Sequence, residues 1–112
     1  MAVKLSGIIG EFLKAKNAND GTAFAACFAD DAVVQDEGRE IHGPAAIKKW
    51  LEQSTAEYQD TVTPQGLVER GDAAILTALV SGNFDGSPVS LDFHFSFKEG
   101  KIAKLSIELT HK

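Results

Sequence analysis

Asp36 is the carboxylate best placed to do chemistry. In Phe28-Ala29-Asp30-Asp31-Ala32-Val33-Val34-Gln35-Asp36, the end of an apolar helix and an acidic turn lead into a short strand. Strand side chains alternate with period two, so Ala32, Val34 and Asp36 point the same way. A carboxylate on that apolar face either ends the strand at a turn or stands in a pocket wall, where it could act as a general base. Asp suits the first position of a type I turn, and Glu37-Gly38 follows directly, so both readings stand. His42 is the second candidate. A return strand over Arg39 to Ile41 could bring it to Asp36 as a His–Asp dyad for acid–base work or water activation. The same position also suits a histidine that caps the next helix or faces water.

The remaining reactive residues are less suggestive. Cys27 is the single cysteine, which excludes an internal disulfide and fits a reducing compartment. Set in an apolar helical run, it reads as a small buried hydrophobe rather than a nucleophile. His94 falls opposite a run of phenylalanines and His111 lies in the tail. Three scattered histidines without ligand spacing argue against a metal site. A Ser–His–Asp spacing, a phosphate-cradling glycine loop and a dinucleotide fingerprint are all missing, so no cofactor is expected.

Composition narrows the partners. With 11 Lys and Arg against 16 Asp and Glu, the net charge is −5. Phosphate backbones require clustered positive charge, so nucleic acid is not an expected partner. The sequence lacks an apolar signal core and any run near the roughly 20 apolar residues that cross a bilayer. A cytoplasmic chain with no membrane partner is expected. Its 112 residues, 44% of them hydrophobic, suit one domain over residues 1–112 with a real core.

The positioning elements are legible from periodicity. Leu5, Ile8, Ile9, Phe12 and Leu13 mark one face of a first helix. Asn17 to Asp20 breaks it, with Asp20 as N-cap of a short second helix carrying Phe24, Cys27 and Phe28. After the Asp36 strand and its return, Pro44 opens a third helix whose buried face holds Ile47, Trp50 and Leu51. From about Glu57 the period becomes two. A strand over Glu57 to Glu69 contains Pro64 and Gly66, which mark an edge or a bulge. Ala73 to Phe84 forms a second strand, and Asp85-Gly86 a hairpin turn. Val89, Leu91, Phe93, Phe95 and Phe97 then alternate with polar residues. After Glu99-Gly100 so do Ala103, Leu105, Ile107 and Leu109. Helices segregated from an antiparallel sheet make an α+β domain.

That order, with Asn17-Ala18-Asn19-Asp20, the Phe28-to-Asp36 segment, Gly43-Pro44-Ala45-Ala46-Ile47 and Phe95-Ser96-Phe97, resembles the nuclear transport factor 2-like superfamily. Within it, the chain looks like the SnoaL-like polyketide cyclase and ketosteroid isomerase branch. The resemblance implies a cone: a curved antiparallel sheet wrapped around three N-terminal helices, with a pocket at one end. It also implies a homodimer through the outer sheet face. The expected second strand, apolar on both faces, fits that covering.

In ketosteroid isomerases an aspartate at the position matching Asp36 abstracts a proton beside a carbonyl. A tyrosine and a protonated aspartate stabilise the enolate. Those donor positions fall on Phe12 and Phe93, and phenylalanine cannot donate. Donors of this kind supply several kcal/mol, on the order of a hundredfold or more in rate, so steroid isomerisation by the familial route is not expected. What the resemblance leaves is an apolar pocket for a small hydrophobic molecule. Phe12, Phe28, Val34, Trp50, Phe93, Leu105 and Leu109 are its expected walls, and Asp36 and His42 its candidate acid–base groups. The alternative is a non-catalytic dimeric interaction or carrier module.

Overall fold

The computed structural model describes residues 7–36 and 38–110. Its first helix, α1 (Gly7–Asn17), buries Ile9, Phe12, Leu13, Ala15 and Lys16; Leu5 lies outside the described residues. The Asn17-Ala18-Asn19-Asp20 segment performs two tasks in four residues. Asn19 takes the left-handed conformation (φ 58°). Its N–H donates to the Lys16 carbonyl while that of Asp20 donates to the Ala15 carbonyl. This pair closes the helix as a Schellman motif. Asp20 then caps α2 (Gly21–Ala26), its side chain accepting from the Ala23 N–H at 3.0 Å. Helix α2 packs beside α3 (Pro44–Tyr58), where a Cβ on Gly21 would first meet the side chains of Lys48 and Glu52.

Six strands follow: β1 (Phe28–Asp36), β2 (Arg39–His42), β3 (Thr61–Arg70), β4 (Ala73–Ser81), β5 (Val89–Lys98) and β6 (Lys101–Leu109). They form one curved, unclosed sheet in the order β2-β1-β6-β5-β4-β3. Every pairing is antiparallel except β1 with β6. The register of β3 shifts between Pro64 and Gly66, the bulge their presence predicts, and β3 is an edge strand.

Three boundaries differ from expectation. Phe28 begins β1 rather than ending α2. Lys101 donates to the Ala26 carbonyl at the helix end, and the Ile102 N–H takes the Cys27 carbonyl, so β6 captures the chain there. Helix α3 continues through Tyr58, where the sequence suggests a strand from Glu57. Gln59 ends it in a left-handed conformation, its N–H bonded to Thr55. Strand β4 stops at Ser81, and residues 82–88 form a loop in place of a tight hairpin. That loop finds partners off the ladder: the Asn83 N–H donates to the Tyr58 carbonyl and the Gly82 N–H to Ser87 Oγ.

The inner sheet face and the helices enclose the core. Phe12 is its hub, with ring centroids 5.1 Å from Phe24, 6.3 Å from Phe28, 6.2 Å from Phe93 and 5.2 Å from Phe95. Offset and edge-on contacts at these separations are the favoured aromatic geometries.

Candidate functional site

The parallel pairing of β1 with β6 brings the C-terminal ends of both strands to one end of the sheet. There the helices leave space. A cavity of about 640 Å³ opens between α1, α3 and the strand ends. That volume suits a small-molecule ligand.

Asp36 enters this wall as its strand position dictates. On the same face Ala32 and Val34 are fully buried, and Asp36, two residues on, borders the cavity at the point where β1 runs out of cover. It is partly buried and stands at the rim, also bordering an open depression on the outer side. Its backbone neighbours are Arg39 on β2 and Ile107 on β6. A turn follows and a cavity lies alongside, so the two readings of Asp36 are not exclusive.

His42 does not join it. The register sets His42 opposite Val33 rather than Asp36. Directly paired residues share a face, and Val33 faces away from Val34 and Asp36, so His42 points to the outer side. Its ring lies 3.3 Å from Glu40, with two-thirds of the side chain exposed. The expected His–Asp dyad is therefore corrected to a His42–Glu40 contact outside the cavity. The Glu40 carboxyl is held below the usual carboxylate range, first by the hydrogen bond from Gln35 and then by that from His42. His94 is also on the outer face, 2.8 Å from Glu108, an ion-pair separation without hydrogen-bond alignment.

Of the expected walls, Phe12, Trp50, Phe93 and Leu109 border the cavity. Phe28, Val34 and Leu105 do not. They are buried core residues, packed behind that surface. Phe12 and Phe93, the two positions where the resemblance implies hydroxyl and carboxyl donors, meet edge to face in its wall.

Polar groups enter the wall from positions the sequence reading passed over. Lys16 lies one helical turn beyond Phe12 on α1 and is 8% exposed. Its ammonium donates to both the backbone carbonyl and the carboxylate of Asp60, each at 3.1 Å. Ser54 and Tyr58 follow Trp50 on α3 at i+4 and i+8, and all three border the cavity. That i, i+4, i+8 spacing is their signal in the sequence, and the strand expected from Glu57 masks it at Tyr58. The Tyr58 ring packs edge-on against Phe84 of the 82–88 loop at 5.9 Å.

Cys27 is buried and not bonded in a disulfide. Burial, and then the charge of Glu11, push its thiol above the usual range, the opposite of an activated nucleophile. Among the described residues, no group of three or more His, Cys, Asp or Glu could hold a metal ion. Among the same residues, no helix is long and apolar enough to cross a membrane.

Comparison with curated proteins finds no match. Solved structures are similar over nearly the whole chain. A candidate polyketide cyclase from Sinorhizobium meliloti is 38% identical with a TM-score of 0.90, covering 93% of this chain and 95% of that one. A hypothetical protein from Catenulispora acidiphila, with a ketosteroid isomerase-like fold and bound trimethylamine, is 19% identical with a TM-score of 0.85. The match covers 96% of this chain and 88% of that one. A protein of unknown function with a cystatin-like fold, from Methylobium petroleophilum, reaches a TM-score of 0.82 at 17% identity, over 94% and 74% of the two chains. The last two likenesses concern the fold. Residues 9–105 match the model of the SnoaL-like domain, so the curved sheet, its three helices and the Asp36 segment belong to a member of the SnoaL-like family.

Proposed function

We propose that the chain binds a small, mostly apolar molecule in the cavity and uses Asp36, without a cofactor, to remove and return a proton beside a carbonyl. Isomerisation, cyclisation and elimination all begin with that proton's removal. The observation carrying this reading is the placement of Asp36: a strand-end carboxylate bordering a cavity walled by Phe12, Phe93 and Trp50. A mostly apolar ligand seated against the Phe12, Phe93 and Trp50 walls displaces water from the cavity side of this rim carboxylate, which favours it as base toward a carbon acid. The 38% identity to a candidate polyketide cyclase supports a substrate of polyketide character.

Deuterium exchange into the α-carbon of a simple cyclic ketone, followed by NMR in heavy water, tests the reading. The protein is expected to accelerate exchange, and Asp36→Asn to lower the enhancement by about 10²–10⁴. Equal exchange by Asp36→Asn and the parent protein removes Asp36 as the base.

A second reading, a non-catalytic dimeric or carrier module, is favoured by one feature. Val68 and Ile75 are directly paired on the outer sheet face and are 54% and 39% exposed. Exposed apolar pairs of this kind suit a second copy of the chain. Sedimentation of Ile75→Asp is expected to show monomer where the parent protein shows dimer. A parent protein that sediments as monomer ends the dimer reading, and ligand binding without exchange favours a carrier.

A further inference from the structure

Lys16 is the unusual group in the cavity wall. An ammonium as deeply buried as this one requires partners for its charge and its donors. It has three N–H donors. Two of them account for the bonds to Asp60. Among the described residues no other acceptor is bonded to it, although the side chain borders the cavity. A tether between α1 and the start of β3 needs only the Asp60 contacts. It leaves one N–H of a nearly buried ammonium without a partner among the described residues, on a side chain that borders the cavity.

We infer that the third N–H of Lys16 donates to the ligand's oxygen, making Lys16 the group that anchors and polarises it. This inference rests on the cavity being the ligand site, as proposed above. Removing a proton beside a carbonyl moves negative charge onto the carbonyl oxygen, and a fixed ammonium stabilises that charge without reorganising. Asp60 holds the ammonium in place and balances its charge. The pair therefore suits a neutral ligand that acquires charge, rather than a permanent anion. The ligand class is an apolar ring or chain bearing an enolisable ketone or a phenolic hydroxyl.

Two probes with the same apolar body separate the contributions: nitrobenzene and 4-nitrophenol, whose phenolate absorbs visible light. Both are titrated into the full chain, with binding followed by quenching of Trp50, the single tryptophan, which borders the cavity. The phenolate band reports ionisation of the bound phenol. On the parent protein the bound phenol is expected to ionise at a pH lower by about one unit or more than on Lys16→Met, the effect of an adjacent opposite charge. Asp60→Asn, which keeps the ammonium and removes its counter-charge, is expected to shift ionisation lower still and covers a failure of Lys16→Met to fold. Ionisation unchanged in either folded variant, with both probes bound, overturns the role of Lys16 and leaves the cavity reading intact. If neither probe quenches Trp50 in the parent protein, the cavity reading falls and this inference with it.

Discussion

Asn17 and Val62 exchange two hydrogen bonds of 2.9 Å. The Asn17 amide nitrogen donates to the Val62 carbonyl, and the Val62 N–H donates to the Asn17 side-chain oxygen. A side-chain amide here does what a neighbouring strand would do: it satisfies both backbone groups of a residue that is 3% exposed. The end of α1 is thereby fixed to the first turn of the sheet edge, beside the Lys16–Asp60 pair. Asn17→Ala is expected to cost about 1–3 kcal/mol, the penalty for leaving buried backbone groups unsatisfied. Urea unfolding measures it, and a loss below about 0.5 kcal/mol would show that water replaces the amide at no cost.

Phe12 touches four other phenylalanines and also borders the cavity. Phe12→Ala is expected to destabilise the fold by about 3–5 kcal/mol. Glu69→Ala, at an exposed strand position, should stay within about 0.5 kcal/mol. Denaturant midpoints of the two variants check the contrast. Similar midpoints would mean that the helices can collapse into the space left by the ring.

Cys27 gives the pH dependence its sign. Its folded-state pKa is raised, by burial first and by Glu11 second. A raised acid pKa favours the protonated, folded form. Its contribution to stability is therefore complete below the unfolded thiol pKa and is lost as pH rises through the folded one. Thermal melts of the parent protein should fall as pH climbs past the ordinary thiol range. Cys27→Ala should flatten that fall. Parallel pH profiles would assign the alkaline loss to other groups.

The sequence carried the architecture because its strongest signals are local. Asp20 as a helix cap, the Pro64–Gly66 bulge and the Glu99-Gly100 turn each depend on a few adjacent residues, and each appears where expected. The site was less legible because it depends on register. Whether His42 meets Asp36 is decided by which residue of β2 opposes which residue of β1, and the alternation of side chains turned His42 outward. Phe28 and Leu105 looked like lining for a similar reason: periodicity identifies a face as inward, but not how far along the strand the cavity extends. Lys16 and Tyr58 were missed because a charged residue on a helix and a tyrosine near a sheet ordinarily face water. Lys16 is buried where α1 packs on β3 and meets Asp60, and Tyr58 is half-buried against Phe84 of the loop after β4.

The pairing of β1 with β6 also bears on how the protein folds. Gln35 and Ser106 are hydrogen-bonded partners 71 residues apart in sequence, and the strand carrying Asp36 has only the four-residue β2 on its other side. A two-stranded ribbon is marginal in water on its own, so β1 gains its lasting partner only when the final strand arrives. Closing so long a loop is slow compared with forming local hairpins. On a ribosome, the hairpins of β3 to β5 can form while β1 waits. Asp36 and the cavity beside it are then assembled together, once β6 has paired with β1.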